Sequence, residues 1–534
     1  MQSSSNHAIA SSPTQKLLLK HKTLLPVLGL LAITVLWFTI NLPSLLTYPA
    51  PNSDESQIGG MSVQYLQSGG FHTPIFGEKV FEVNKNWRLY TVSLAGVFRI
   101  WGVGLAQARI FSFVGVLVGG WLLFALGHRL YGSQVGLISA TLYLFSLRAL
   151  WVSHIVRPDA WVNTASIASL LLFWLTKESR DKWLAFALGI FLAGTVDIYI
   201  VAIYSSLVIA LAMLIEFRQK SGWNILRRFI TGIVIGGAYW LSFQVFPNPS
   251  DMLTGWQGHL SASGVGTNSN SLSAIVINII PSAIALLGQG LIGHSRLGSI
   301  EALYLCGGVI TFGVRRNHAD KFFLLMWAVL GVGQVVPYKG LWHIIDLLPL
   351  FSITMAVGAK SAGDGLIARF PKGEFLKLYS TMLISGMLIA GFVLGTASIT
   401  NRSQVINYEQ YARELRSIIP LNSSIFGEGT WWWGLRDSQF TSEEYARFYN
   451  DKKGRAASEF LHSILIERNI DVLLLDEFFS IYEYATNQDI QGAMTQYVTE
   501  NCRLAGTVEG YAYGVEQGGP AIKRTRVYLC PTPQ

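Results

Sequence analysis

The chain has 534 residues, 51% of them hydrophobic and only 13% charged, with a mean hydropathy of +0.38. A soluble domain usually carries about 25% charged residues, so this composition excludes an ordinary soluble protein; apolar runs long enough to span a bilayer recur between residues 24 and 400. The net charge of +8 comes from short basic stretches between those runs, as in cytoplasmic loops, and gives no reason to expect nucleic acid as a partner.

Residues 1–23 begin polar and Ser-rich and read as a disordered cytoplasmic tail. Lys16, Lys20 and Lys22 then precede the apolar run 24–46, which is too long for a signal peptide and lacks a small-residue cleavage site. It reads as a retained first helix with its N-terminus in the cytoplasm. Residues 47–88 form an outer loop, in which Asp54 and Glu55 stand side by side just past the membrane edge. The moderately apolar stretch 88–104 carries Arg88 and Arg99 and suits a helix lying along the interface.

Crossings follow at 106–126, 135–151 and 160–176, with two more inside 183–217 and others at 229–246, 297–314, 322–336, 341–359 and 378–399. The segment 247–273 is a Gly/Ser/Asn-rich loop. The apolar segment 274–293 reads as an outer interfacial or re-entrant helix, because a full crossing would put Arg315, Arg316 and Lys321 outside. The basic stretch 360–377 reads as a cytoplasmic loop.

From residue 401 the composition turns to that of a soluble domain. Tyr408, Tyr411, Leu415 and Ile418 have helical spacing ended by Pro420; 424–426, 472–475 and 526–529 read as strands, and 458–467 as a helix. The expected fold is therefore an all-α polytopic membrane domain (24–400) of about 11–13 helices, followed by an extracytoplasmic α/β domain (401–534). Cys306 lies in an apolar run. Cys502 and Cys530 either pair, if their compartment is oxidising, or remain free thiols. No Cys/His spacing suggests a zinc site.

Four constellations stand out on the outer side. Asp54-Glu55 taken alone is explained as a solvated pair of loop acids. Pro158 and Asp159 make a good helix start, but Arg157 is a cation where the helix dipole disfavours one, so it calls for an anionic partner. Lys339, His343 and Asp346, spaced four and three apart, share one face of a helix, and an ionisable group inside the membrane is a functional candidate. Lys79, Lys85 and Arg88 are a basic set that headgroup anchoring also explains. Together these segments bring carboxylates and cations to one face. A carboxylate takes a proton from a nucleophile and cations hold a departing phosphate without a general acid, whereas glycoside hydrolysis needs a second carboxyl group as acid.

The acidic pair in the first outer loop, Arg157-Pro158-Asp159 at the start of a later helix, and between them Ala108-Arg109 and Tyr131-Gly132-Ser133-Gln134-Val135-Gly136, resemble the membrane glycosyltransferases of the GT-C fold. The likeness is to glycosyltransferase family 39, the branch of bacterial aminoarabinose transferases and protein O-mannosyltransferases, and it covers about residues 24–399. It implies a polyprenyl-phosphate sugar as donor, no metal or other cofactor, a multi-pass protein of the bacterial inner membrane, and a lipid, protein or polysaccharide acceptor. Asp54 is implied as catalytic base with Glu55 in support. Lys85, with Lys79 as rival, would hold the donor phosphate, and Asp159 would orient that lysine; Arg157, Lys339 and His343 complete the cationic set. Lys85 is followed by Asn86-Trp87 where the family shows prolines, and His343 by Ile344-Ile345 where relatives show Arg-Tyr. A flippase of lipid-linked sugars and a non-catalytic binding subunit are the competing functions. A flippase calls for paired broken helices in matching halves, and the sequence shows none.

Overall fold

The computed structural model describes residues 13–49, 51–71, 73, 75, 87–199, 202–246, 298–331, 347–369, 386, 389–398, 408–443, 463–476, 488–511 and 522–531. The first helix, α1 (Pro13–Asn41), starts inside the stretch expected to be a disordered tail. From Leu24 onward it shows large apolar side chains to the surroundings, with Leu25 74% and Val35 65% exposed. Such a face suits hydrocarbon rather than water. After a single 3-10 turn comes α2 (Ser53–Ser68), which carries both acids. This corrects the sequence reading of a polar loop.

The bundle continues with α3 (Arg88–Trp101), α4 (Leu105–Tyr131), α5 (Ser133–Leu144), α6 (Leu147–Ser153), α7 (Asp159–Ser179), α8 (Lys182–Ile198), α9 (Ala202–Phe217) and α10 (Trp223–Trp240). A π-helical turn, Leu241–Val245, extends α10. Then come α11 (Gly298–Arg315), α12 (His318–Met326), α13 (Leu348–Arg369) and α14 (Ile389–Ser398). As expected, 183–217 divides into two helices, and α3 buries Tyr90, Leu94 and Phe98 while leaving Ile100 and Trp101 exposed.

Two expectations are corrected. The stretch 135–151 is not one straight crossing: α5 and α6 meet at a bend of 60°. The break is chemically supported, since Leu144 O accepts from Trp37 Nε1 (2.9 Å), Phe145 O accepts from Thr396 Oγ1 (2.8 Å), and the Ser146 hydroxyl caps α6 by accepting from Ala149 N–H (3.0 Å). Helix interruptions survive at membrane depth where other groups take up the freed backbone. The second correction is at α13, which runs on through Lys360 to Arg369 where a loop was expected.

Among the described residues two helical stretches, Leu24–Ser44 and Leu105–Tyr131, are long and apolar enough to cross a membrane alone, three if the bent pair counts as one. The expected tail 1–12, the loop 247–273, the apolar segments 274–293 and 378–385, and the span 332–346 lie outside the described residues. Helices pack closely through small residues, as membrane helices do: Gly189 of α8 and Gly232 of α10 face each other, a Cβ on Gly189 standing 3.0 Å from Gly232 Cα.

The C-terminal part holds α15 (Tyr408–Ile418), β1 (Ser424–Gly427), a short turn of helix Gly429–Trp431 leading into α16 (Trp432–Leu435), β2 (Gln439–Ser442), β3 (Val472–Asp476), α17 (Gln488–Asn501), β4 (Arg503–Tyr511) and β5 (Ile522–Leu529). The sheet order is β2-β1-β3-β5-β4. β1 pairs in parallel with β2 and β3, and β5 is antiparallel to β3 and β4. The three expected strands are present. β2 and β4, which the sequence reading did not include, are the two edge strands; β2 is short and largely polar, and β4 has an irregular register between Leu504 and Gly506. Cys502 and Cys530 are joined by a disulfide at the end of the β4/β5 ladder.

Candidate active site

Asn52-Ser53-Asp54-Glu55 is a capping box. The Asn52 side chain accepts from Glu55 N–H (3.0 Å), and the Glu55 carboxylate accepts from Asn52 N–H (3.2 Å). This pattern satisfies two of the donors that a helix start leaves open, and it places both acids in the first turn, where the helix dipole favours negative charge.

From there the neighbouring acids go opposite ways. Glu55 is fully buried. Arg109, on the second turn of α4, meets it with two parallel bonds, Nε to Oε2 at 3.0 Å and Nη2 to Oε1 at 2.8 Å, and gives Nη1 to Leu45 O at 2.9 Å. Val156 N–H donates to Glu55 Oε2 as well (3.0 Å). A buried ion pair persists only when its geometry is good and its remaining hydrogen-bonding capacity is met, and here both conditions hold. Glu55 therefore ties the end of the first helical segment, α2, α4 and the α6–α7 junction into one knot.

Asp54 keeps a side chain 44% exposed and pairs with Arg157. Arg157 Nε reaches Asp159 Oδ2 at 2.9 Å, so one guanidinium bridges both carboxylates. Asp159 itself is nearly sealed, its side chain 6% exposed. Burial pushes the Arg157 pKa down, but the charges of Asp159 and Asp54 outweigh it and hold the guanidinium above its usual value. The anionic partner that Arg157 called for is thus present twice. Pro158 and Asp159 begin α7 as expected.

His154 completes the frame. Its Nε2 lies 2.9 Å from Asn41 O and 3.1 Å from Ser44 Oγ, and its Nδ1 lies 2.8 Å from Leu150 O, so it joins the end of α1 to α6. Arg88, from the basic set, lies over the rings of Phe71 (4.7 Å) and Phe243 (5.2 Å). Lys85, Lys79, Lys339, His343 and Asp346 lie outside the described residues. Among the described residues no group of three or more His, Cys, Asp or Glu side chains is placed to hold a metal ion.

The opposite end of the bundle is basic. There Arg129 pairs with Glu178, Lys177 with Glu216 (3.0 Å), and Arg315 with Asp320 (2.6 Å), to which Tyr131 also donates (3.1 Å). α4 links the two ends: Arg109 near its start holds Glu55, and Tyr131 at its end joins the basic cluster. At 1.5 Å per residue that helix spans about 40 Å.

This arrangement of helices has known counterparts. The protein is similar over 94% of its length to the crystal structure of ArnT from Cupriavidus metallidurans bound to undecaprenyl phosphate, with a TM-score of 0.63, 12% identity and 97% of that chain covered. The apo state of the same protein matches equally, at 13% identity and the same coverage of both chains. The Archaeoglobus fulgidus oligosaccharyltransferase in its apo form matches with a TM-score of 0.54 and 10% identity, over 93% of this chain and 76% of that one. The chain has the GT-C fold. Within it, residues 89–240 match the family described as dolichyl-phosphate-mannose-protein mannosyltransferase, which agrees with the family 39 resemblance. No curated protein sequence matches the chain.

Within the GT-C bundle, sequence reasoning placed Asp54, Glu55, Arg157 and Asp159 on one side, and the structure brings these four together. It named Arg109 in the family resemblance without giving it a role, and it missed Asn52. Arg109 is a lone fully buried charge in the apolar α4, the kind of residue that marks a site in a membrane helix. Asn52 was readable as the first member of a capping box.

Proposed function

We propose that the protein is a membrane glycosyltransferase that moves a sugar from a polyprenyl-phosphate donor to an acceptor on the extracytoplasmic side, inverting the anomeric carbon. The observation that carries this reading is the Arg157 bridge: of the three acids, Asp54 alone is substantially open, and it is held by a cation whose other side is pinned by Asp159. Asp54 takes the proton of the acceptor nucleophile. The nucleophile bonds to the anomeric carbon as the bond from that carbon to the phosphate oxygen breaks, and polyprenyl phosphate departs as an anion. Arg157 holds that anion, together with Lys85 or Lys79, Lys339 and His343. A donor phosphate arriving at Arg157 competes with Asp54 for the guanidinium and so releases the carboxylate toward the acceptor. Glu55 supports the site by fixing the turn that carries Asp54, and Asp159 orients Arg157. The reaction uses no metal and no cofactor beyond the lipid-linked donor. The undecaprenyl phosphate bound to the similar ArnT structure supports the donor class.

The outward orientation rests on charge and redox chemistry. The basic cluster lies at the end of the bundle opposite the acids, as the positive-inside rule requires of the cytoplasmic end, and the Cys502–Cys530 disulfide suits an oxidising compartment.

The test is turnover by purified protein in vesicles with a polyprenyl-phosphate sugar. We expect release of polyprenyl phosphate together with sugar transfer, and a fall of about a hundred- to ten-thousandfold in Asp54→Asn. Normal turnover by Asp54→Ala overturns the mechanism; lipid-linked sugar that is flipped but never transferred points instead to a flippase.

A further inference from the structure

The turn that carries Asp54 is packed from two directions. The membrane domain holds it through Glu55 and Arg109. The other side of α2 is met by residues 429–435 of the C-terminal domain. Gly59, on the second turn of α2, has no side chain, and the Trp433 ring uses that space: a Cβ there would overlap Trp433 Cζ2 and Cη2 and stand 3.4 Å from Trp432 Cζ3. Gly429 seats its backbone against the first residue of the same helix, where a Cβ would lie 3.3 Å from Ser53 Cβ. Trp433 also meets Phe98 of α3 edge to face, with ring centroids 6.3 Å apart.

The tryptophan segment is rigid from behind. The Tyr408 hydroxyl donates to Thr430 O (2.7 Å) and accepts from Gly434 N–H (3.2 Å). Tyr411 packs on the Trp431 ring at 4.7 Å, and the Trp432 and Trp433 rings stand 4.8 Å apart. Trp431, Trp432 and Trp433 are only 3%, 7% and 2% exposed. They are closed to a stacking sugar and act as packing. One apolar core therefore runs from Ile58 and Met61 of α2, through Leu94 and Phe98 of α3, into Tyr411, Leu415 and Val527 of the outer domain.

We infer that Trp433 is a positioning residue: seated on Gly59, with Gly429 against Ser53, it makes the C-terminal domain set the placement of Asp54. The outer domain is then part of the catalytic unit and not only a module for the acceptor. The turnover arm of the test rests on the transferase reading; the exchange arm does not.

The full-length protein is compared with Trp433→Ala, Trp433→Phe and Gly59→Ala by hydrogen–deuterium exchange of residues 53–68 and by kcat and KM for a polyprenyl-phosphate sugar. In Trp433→Ala, α2 exchange rises about tenfold while α4 stays protected. There kcat falls roughly ten- to a hundredfold, the scale of an ångström-sized misplacement, with KM held within about twofold. Trp433→Phe keeps most of both. Gly59→Ala, changed on the membrane side of the contact, reproduces the loss and decides the matter should Trp433→Ala fail to fold. Unchanged α2 exchange in Gly59→Ala, or raised exchange with wild-type kcat, overturns the inference. A wild-type protein without turnover fails the transferase reading, and α2 exchange alone then judges the positioning role.

Discussion

Asp54 and Glu55 are adjacent in the chain and opposite in circumstance. Successive residues on a helix point about 100° apart, so one carboxylate faces Arg157 and the opening while the other faces Arg109 in the interior. Two substitutions should separate these roles. Asp54→Asn is expected to fold normally and lose turnover. Glu55→Gln leaves the Arg109 charge buried without its partner, and breaking such a pair costs about 3–5 kcal/mol. Thermal unfolding in detergent should therefore show a large drop for Glu55→Gln and little change for Asp54→Asn. The acids were visible in the sequence as a pair, but their division of labour was not, because it depends on an arginine far along the chain.

At the scale of elements, α2 is made by its cap. Asn52→Ala should destabilise the protein by about 1 kcal/mol, read as a lower unfolding temperature, and should raise amide exchange in the first turn that carries Asp54. The capping box was readable from Asn52 and Glu55; only the surrounding Gly59-Gly60 and polar residues made the stretch look like a loop. The bend between α5 and α6 belongs to a different class. Its freed carbonyls are met by Trp37 and Thr396, donors distant in the sequence. Thr396→Val keeps the shape and removes the donor, leaving a buried carbonyl unpaired at about 1–3 kcal/mol, to be measured by the same unfolding assay. Hydropathy detects that residues 135–151 are apolar, and it carries no information about where such a segment folds on itself.

For the whole molecule, the boundary near residue 400 separates two compositions but not two cores, since α2 and α3 share one with the C-terminal domain. The disulfide closes that domain across a sequence separation of 28. Cys502→Ser should lower its stability by roughly 3–4 kcal/mol, the effect of cross-linking a loop of that size, seen as earlier unfolding of the sheet. The proposed orientation is testable with a membrane-impermeant thiol reagent: in intact cells Leu421→Cys, at a position 95% exposed on the C-terminal domain, should be labelled. Lys182→Cys, at an exposed position on the basic end, should react only after permeabilisation.

Composition, apolar run length and loop charge by themselves determined a polytopic helical protein with a polar C-terminal α/β domain, because bilayer thickness and the cost of unpaired backbone in hydrocarbon act on local sequence. They also singled out Asp54, Glu55, Arg157 and Asp159, since charges at helix ends in an apolar chain are few. Tertiary structure alone decided that Arg157 spans two carboxylates, that Arg109 claims Glu55, and that Trp433 rests on Gly59. Apart from the local Arg157–Asp159 pair, those contacts join residues about fifty to several hundred positions apart, and nothing in the local pattern of either partner encodes the other.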